Sequence, residues 1–414
     1  MFIYDIFQII LDFLSRMYHF FLSFLKKQSY EKHHEHFILN KYKGEKIKIG
    51  LLTNEIPPIV YGGVATWIVN FIDMFQNDEH MEVIPIFLAH QDELPQSCYN
   101  TYKNIRVINS KNQVEYVFKD IDVCINNLWV ALDYITHINQ TCQHLPIISV
   151  CHSLIRMENI TNLGSMYTNN FIDQEKTFSE SDCVVLISQS ELDKYNEFGY
   201  DMLDATTHVI YNMYTPKYDN IDFTNTSYTL NDSIGYVGRH VPRKRPCLAV
   251  KAVDSIKHQV SLKVINMGVD TKNGNLYWKQ LQELYSDILT VIYFTSCRKT
   301  METFYNQVSW IVLSGIYEPF GYTTLQAIDR GKPIIVGSID GPKEIIQGVE
   351  KYVITYDVDI DDYDKDKENL SKAILKANQL TPEQKKNNAD AQLQNNSQKR
   401  MEKLTFDFSF QGSQ

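Results

Sequence analysis

Residues 309–346 constrain the fold of this chain more than any other stretch. A β-branched, apolar run at 310–313 ends in a glycine-containing loop, and a helical pattern follows at 322–330. Gly331 ends that pattern, and a second apolar run begins after Pro333. Strand, loop, helix and strand in this order predict a parallel βαβ unit. In open α/β sheets, ligands bind at the carboxyl edge of such strands.

Polar groups gather at this predicted edge. Glu318 in the loop and Gln326 on the helix can both point towards one ligand. The free backbone amides near residues 320–323 open the helix, so they offer hydrogen-bond donors and the positive end of a helix dipole. This arrangement predicts a binding site for an anion such as a diphosphate.

The length and charge of the chain bound the class of protein. A chain of 414 residues suits two domains of roughly 150–200 residues each. Its net charge of −10 argues against a general nucleic-acid-binding protein, which would be basic. Seven scattered cysteines without a C-x-x-C pair are typical of reduced thiols in a cytosolic protein, not of a disulfide framework or a zinc site.

Residues 1–27 form a strongly apolar segment with a narrow polar stripe. A membrane-spanning helix would place Asp5, Asp12 and Arg16 in hydrocarbon, at roughly 2.5–3.5 kcal/mol each near the centre. Two interpretations remain: a helix lying in the plane of a membrane surface, and a helix packed on the protein's own surface. Residues 28–46 read as a charged linker.

The first compact domain is predicted at residues 47–216. The strand at 47–53 runs into a loop with Gly62 and Gly63, and a helical pattern follows. Glycines at such a position let backbone amides approach a phosphate or a sugar. Further strands are predicted at 83–88, 121–126, 147–151 and 183–187, with helices between them, which indicates a doubly wound parallel sheet.

His152 directly follows the predicted strand at 147–151. A ligand-facing histidine and an edge histidine held by its neighbours both fit this position. The polar run at 217–232 is predicted to be a hinge between the domains.

The second domain is predicted at residues 233–380. Its first strand, at 234–237, runs into Gly238 and a cluster of four cations: Arg239, Arg243, Lys244 and Arg245. In an acidic protein this cluster predicts a local anionic partner. The guanidinium groups of arginine can form bidentate hydrogen bonds, and together with the ammonium group of lysine they suit a diphosphate. Further strands are predicted at 262–267, 289–294, 310–313 and 334–336.

The acidic stretch at 357–368 has acids at some of the positions at which a calcium-binding loop has them. Asp362 stands where the sharp turn of such a loop needs glycine, so a solvated acidic loop is predicted instead. A helix is predicted at 370–378, and residues 381–414 read as a polar tail.

Three separated motifs resemble those of the retaining, nucleotide-sugar-dependent glycosyltransferases with the GT-B fold. They are PPIVYGGVATWI at 57–68, YVGRHVPRKRP at 236–246 and YEPFGYTTLQAIDRGKPIIVGSIDGPKEII at 317–346. The resemblance covers residues 47–380 and implies an α/β protein with two Rossmann-like domains facing across a cleft. It also implies that the first domain binds the acceptor and the second binds the nucleotide-sugar.

The resemblance also implies roles for particular residues. Arg239 and Lys244 would neutralise the leaving diphosphate, Glu318 would bind the hydroxyls of the donor sugar, and His152 would contact that sugar from the opposite domain. The donor-binding residues would be Gly62, Gly63, Gly238, Phe320, Gly321, Tyr322, Thr323 and Gln326.

Two features depart from the family pattern. Position 326 is a glutamate in the family, whereas glutamine brings no charge to the ribose hydroxyls, so we expect nucleotide binding weaker by about 1–2 kcal/mol. The last residues, 403–414, stand where the final helix of the family crosses back to the first domain, so reduced contacts between the closed domains are expected.

The expected activity is transfer of a hexosyl unit, with retention, from a nucleotide-diphosphate sugar to a hydroxyl of a glycan or lipid-linked acceptor. No metal, separate cofactor or nucleic acid is expected, and the expected location is the cytoplasm, peripheral on a membrane through residues 1–27. The alternatives are an inactive relative that serves as a binding or scaffold subunit, and a sugar-nucleotide epimerase of the same fold.

Overall fold

The computed structural model describes residues 46–60, 62–89, 94–128, 131–142, 145–161, 170–200, 206–214, 233–268, 274–293, 298–381, 383–384, 387–388 and 390–391. The predicted helix at 1–27, the linker up to residue 45, the hinge at 217–232 and residues 403–414 lie outside these ranges. Within them, no helix is both long and apolar enough to span a bilayer.

The first domain is built on a parallel sheet with the strand order β3-β2-β1-β4-β5-β6-β7. The strands are β1 (Ile47–Thr53), β2 (Met81–Leu88), β3 (Arg106–Ile108), β4 (Val123–Asn126), β5 (Ile147–Cys151), β6 (Cys183–Leu186) and β7 (Thr206–Val209). Every residue of β4, β5 and β6 is buried, as expected for apolar strands covered by helices on both faces.

The helices of this domain connect successive strands. They are α1 (Gly63–Phe75), α2 (Gln96–Thr101), α3 (Val114–Phe118), α4 (Leu132–Thr141), α5 (Ile155–Thr161), α6 (Asn170–Ser179) and α7 (Gln189–Glu197). The apolar side of α1 packs on one face of the sheet through Trp67, Ile68, Phe71 and Phe75, which belong to the same core as Ile49 of β1.

The second domain repeats this plan with the strand order β10-β9-β8-β11-β12-β13, again parallel. Its strands are β8 (Ser233–Val237), β9 (Lys263–Gly268), β10 (Leu289–Tyr293), β11 (Trp310–Leu313), β12 (Ile334–Gly337) and β13 (Ile354–Tyr356). Its helices are α8 (Leu248–Ile256), α9 (Gly274–Leu284), α10 (Arg298–Gln307), α11 (Tyr322–Asp329), α12 (Asp340–Ile345) and α13 (Tyr363–Asn378).

Both sheets reverse their winding in the middle, between β1 and β4 in the first and between β8 and β11 in the second. A crevice forms at the carboxyl ends of the strands at such a switch point, and ligands bind there. The glycine loop follows β1, the cation cluster follows β8, and the loop with Glu318 follows β11. The predicted α/β fold with two doubly wound domains is confirmed.

Three strands escaped the sequence-based prediction: β3, β7 and β13. Each has only three or four residues and lies at the edge of its sheet. Short edge strands are half solvated, so they lack the long apolar run that marks a central strand.

The prediction of a solvated acidic loop at 357–368 is wrong in its second half. Helix α13 begins at Tyr363 rather than at residue 370, and the side chain of Asp362 caps it by accepting hydrogen bonds from the amides of Asp364 and Lys365. Acidic residues in a first helical turn interact favourably with the helix dipole. Asp366 is fully buried because the guanidinium of Arg245 pairs with it.

Candidate functional site

A cleft with a volume of about 1290 Å³ lies between the two domains. The loops after β1, β8 and β11 line it, together with the residues just past β5. Every predicted site residue lies on its wall: Gly62, Gly63, His152, Gly238, Arg239, Lys244, Glu318, Phe320, Gly321, Tyr322, Thr323 and Gln326. The roles of these residues stay predictions, but the fold brings them to one place.

The glycine loop leaves open space beside the start of α1. The carbonyl of Gly62 accepts hydrogen bonds from the amide of Thr66 at 3.0 Å and from its hydroxyl at 2.8 Å. A Cβ at Gly63 would meet no other described atom within 4 Å. The first amides of α1 are therefore accessible to a ligand in the cleft.

Two of the four clustered cations, Arg243 and Arg245, are bound to other parts of the protein. The interpretation of all four as ligand-binding is therefore corrected. The buried guanidinium of Arg243 lies 3.1 Å from the Glu158 carboxylate and donates to the carbonyl of Tyr317 at 3.2 Å. Arg245 pairs with buried Asp366 and donates to the carbonyl of Asp359 at 2.7 Å. Buried guanidinium groups held in this way serve packing and charge compensation.

Arg239 and Lys244 are the members of this cluster that remain available to a ligand. Arg239 is exposed on the wall of the cleft. Lys244 forms an ion pair with Glu318, the residue predicted to bind the donor sugar. Burial, followed by the charges of Arg243 and Arg239, lowers the pKa of the Lys244 ammonium well below its usual value. An additional anion beside Lys244 would therefore be stabilised.

The conformation of the loop after β11 depends on two glycines and one hydrogen bond. Gly321 adopts a left-handed conformation, with φ at 96°, where it caps α11. A Cβ at Gly341 would lie 2.4 Å from the Cα atom of Phe320, so only glycine lets α12 approach the loop. The Glu318 amide donates to the carboxylate of Asp340 at 3.1 Å. These contacts hold Glu318 at the edge of the sheet.

His152 faces the cleft from the first domain and is held by a neighbour at the same time. Its Nε2 lies 2.8 Å from Oδ1 of Asn127, a residue that sequence reasoning missed. Because an amide oxygen only accepts, this contact assigns the proton to Nε2 and leaves Nδ1 as an acceptor. Burial lowers the pKa of His152 to about 3, so the ring is neutral at pH 7.

A polar joint connects α12 of the second domain to the start of α7 in the first. The carboxylate of Glu344 accepts hydrogen bonds from the amides of Gln189 at 3.0 Å and Ser190 at 2.8 Å, and from the hydroxyl of Tyr211 at 2.7 Å. Lys194 Nζ lies 2.5 Å from the Asp340 carboxylate. A carboxylate at a helix N-terminus is stabilised by the free amides and the helix dipole.

An apolar contact lies beside this polar joint. Phe320, Tyr322 and Leu325 of the second domain belong to the same core as Trp67 and Phe71 of α1. The hydroxyl of Tyr322 donates to the carbonyl of Met213 at 3.1 Å. The Tyr322 side chain therefore packs between the domains, and its backbone borders the cleft.

Metal ligands do not cluster in the described residues: no group of three or more His, Cys, Asp or Glu side chains there could hold an ion. The cations among the described lining residues are Arg239, Lys244, the structural Arg243, and Arg330 at the C-terminal cap of α11.

Comparisons with known proteins agree with this arrangement. Residues 218–391 match the family model of glycosyl transferases group 1. An uncharacterized glycosyltransferase of Methanocaldococcus jannaschii is 22% identical over 331 residues, which cover 73% of this chain and 83% of that protein.

Solved structures show the same fold. The Anabaena protein HepE, in complex with UDP and glucose, superposes with a TM-score of 0.68 at 16% identity, over 87% of this chain and 96% of HepE. Sucrose-phosphate synthase from Thermosynechococcus elongatus gives a TM-score of 0.60 at 13% identity, over 84% and 94% of the two chains. Residues 218–391 of this protein thus match the glycosyl transferases group 1 family, and the described residues of the two domains have the GT-B fold.

Proposed function

We propose that this protein transfers a hexosyl unit, with retention of configuration, from a nucleotide-diphosphate sugar to a hydroxyl of a glycan or lipid-linked acceptor. The observation that carries the proposal is the Lys244–Glu318 ion pair. It joins the loops after β8 and β11 at the switch point of the second sheet, with Arg239 beside it and His152 across the cleft.

The ion pair suggests how a donor is bound. A diphosphate next to Lys244 and Arg239 would replace Glu318 as the counter-charge of the ammonium, which frees the carboxylate to accept hydrogen bonds from sugar hydroxyls. HepE has been solved with UDP-glucose as well as with UDP, which supports a nucleotide-sugar as the donor here.

The proposed reaction needs charge stabilisation more than a nucleophile. The bond between the anomeric carbon and the diphosphate oxygen breaks, the acceptor oxygen bonds to that carbon on the same face, and the acceptor proton passes to the leaving diphosphate. Arg239 and Lys244 stabilise the charge that develops on the diphosphate. His152 is neutral, so its Nδ1 can accept a hydrogen bond from a hydroxyl of the donor sugar.

The donor can be identified by incubating the full chain with UDP-, GDP- and ADP-sugars and scoring nucleotide release with and without acceptors. The anomeric configuration of the product, read by NMR, tests retention. Lys244→Ala should reduce turnover by at least about 100-fold. The control is Lys257→Ala, since Lys257 lies on the surface and is 53% exposed. Turnover that persists in Lys244→Ala contradicts the proposed mechanism.

Gln326 favours the alternative of a binding or scaffold subunit, because it lies on the cleft wall without the charge of the family glutamate. Nucleotide binding without turnover of any donor would support that alternative. Conversion of a donor to its epimer without an acceptor would identify an epimerase instead.

The amphipathic pattern of residues 1–27 supports attachment to a membrane surface, where a lipid-linked acceptor would be found. Flotation with anionic liposomes tests this directly. The full chain should float, and a chain that begins at residue 28 should not. Equal flotation of both chains contradicts membrane attachment through this segment.

A further inference from the structure

The charges on the two walls of the cleft are distributed very unevenly. All lysines and arginines among the described lining residues belong to the second domain: Arg239, Arg243, Lys244 and Arg330. The described lining residues of the first domain include the acids Glu55 and Glu158 but neither lysine nor arginine.

The undescribed stretches of the first domain add acids, but no lysine or arginine, to its sequence. Residues 61, 90–93, 129–130, 143–144, 162–169 and 201–205 contain no lysine or arginine in the sequence. They do contain four acids: Asp92, Glu93, Asp201 and Asp204.

The two acids on this wall differ in their partners. Glu158 is compensated by Arg243 at 3.1 Å and accepts a hydrogen bond from the hydroxyl of Ser153 at 2.5 Å. Glu55 directly precedes the proline-rich part of the glycine loop, and its Oε2 lies 3.6 Å from the place of a Cβ at Gly62. No described side chain forms a hydrogen bond or an ion pair with its carboxylate.

The surroundings of Glu55 prevent it from being merely a solvated surface acid. The side chain is half-buried, and burial raises the pKa of its carboxyl, while the charge of Arg239 acts in the opposite direction. Its charge therefore acts in a partly dehydrated part of the cleft, where electrostatic interactions are stronger than in water. A ligand on this wall meets an acceptor of hydrogen bonds and a negative potential.

From this asymmetry we infer the chemical class of the acceptor: a sugar that carries no phosphate or carboxylate near the reacting hydroxyl, with Glu55 accepting hydrogen bonds from its hydroxyl or amino groups. The inference rests on the proposed transferase function and specifies its second substrate. Glu55 thus acts as a specificity residue. An acceptor whose lipid diphosphate lies far from the reacting sugar is compatible with this inference. Only anionic groups that reach the first-domain wall of the cleft are disfavoured.

The bound donor strengthens the restriction. A diphosphate at Arg239 and Lys244 uses the cations of the opposite wall and adds negative charge of its own. An anionic group on the acceptor then meets no lysine or arginine among the described lining residues of the first domain, and it faces the charges of the diphosphate and of Glu55. Neutral hydroxyls and ammonium groups do not incur this penalty.

The test uses the full chain, its active donor in radiolabelled form, and an array of neutral, amino, uronic-acid and phosphorylated glycans. Label should enter neutral or amino glycans, and their anionic counterparts should react with at least about 30-fold lower kcat/KM. Preferred labelling of anionic glycans overturns the inference, as does donor turnover that labels no neutral or amino glycan. Failure to use any donor contradicts the proposed function instead, so the two failures are distinguishable.

Substitutions at Glu55 test whether this residue produces the selectivity. Glu55→Gln should raise the ratio of anionic to neutral acceptor use by about 10-fold, and Glu55→Lys should raise it further. The ratio compares two acceptors in one enzyme, so it does not depend on the fraction of folded protein. Glu79→Lys makes the same charge change on the exposed outside of the first domain and should leave the ratio unchanged. An unchanged ratio in both Glu55 variants overturns the assignment.

Discussion

The hydroxyl of Tyr317 in the second domain donates a 2.7 Å hydrogen bond to Oε2 of Glu191 in the first. Both side chains are fully buried, and the same hydroxyl accepts a hydrogen bond from the Leu154 amide at 2.9 Å. An ionisable acid therefore lies inside the contact between the domains. Burial raises the pKa of the Glu191 carboxyl to about 7, although the Tyr317 hydrogen bond and the charge of Lys194 act in the opposite direction and Asp340 adds to the rise.

Glu191 should make the stability of the protein decrease as the pH rises from about 4.5 to about 7. In that range the Glu191 carboxyl is protonated in the folded protein and ionised in the unfolded chain, so each rise in pH favours unfolding. Above about pH 7 the free energy of unfolding has fallen by about 3 kcal/mol and decreases no further on account of this group. Glu191→Gln can still accept the Tyr317 hydrogen bond, so it should remove this pH dependence and be the more stable form at pH 8. Urea unfolding at several pH values measures the effect. Glu197→Gln on the exposed side of α7 is the control, and an unchanged pH slope in Glu191→Gln would refute the prediction.

Glu344→Ala should loosen the joint between the domains. The substitution removes the acceptor of three hydrogen bonds and the negative charge at the start of α7, so we expect a loss of about 2 kcal/mol. Thermal unfolding measures the loss, and an increase in radius of gyration by small-angle scattering reports the opening. The control is Glu368→Ala, whose ion pair with Lys372 is exposed on α13. Equal effects of the two substitutions would show that the joint does not hold the domains.

Arg239→Ala should weaken nucleotide binding, whereas Arg245→Ala should lower stability, although the two residues belong to one cluster in the sequence. Loss of Arg245 leaves Asp366 buried without a counter-charge and should cost about 3–5 kcal/mol of unfolding free energy. Loss of exposed Arg239 should change stability by less than about 0.5 kcal/mol but weaken nucleotide binding by at least about 10-fold. Denaturant unfolding and calorimetric titration separate the two effects. Similar stability losses in both variants would contradict the assignment.

Gln326→Glu should tighten nucleotide binding by about 1–2 kcal/mol, roughly 10-fold, because a charge-assisted hydrogen bond to the ribose replaces a neutral one. Gln326 lines the cleft one turn from Thr323 on α11, so a carboxylate there reaches the same ligand. Titration of the nucleotide into both proteins gives the dissociation constants. Gln307→Glu at the exposed end of α10 controls for the added charge. Equal constants for Gln326→Glu and the unsubstituted protein would exclude a ribose contact at this position.

The central strands and the location of the site follow from local sequence. Strand β5 has the predicted bounds because its residues are apolar, and the glycine loop, Lys244 and Glu318 meet because parallel strands end at the same edge. The ion-pair and hydrogen-bond partners of the charged residues cannot be predicted from local sequence. Asp366 is 121 residues from Arg245, and Glu344 is 155 residues from Gln189, so only the folded chain separates structural from ligand-facing charges.

Asp340 uses its two carboxylate oxygens for two different purposes. Oδ1 pairs with Lys194 of the first domain, and Oδ2 accepts the amide hydrogen bond that fixes Glu318. Separation of the domains would break the ion pair with Lys194, and the Asp340 carboxylate would keep only its hydrogen bond with the Glu318 amide. The carboxylate of Asp340 thus links movement of the domains to the order of the loop that holds Glu318.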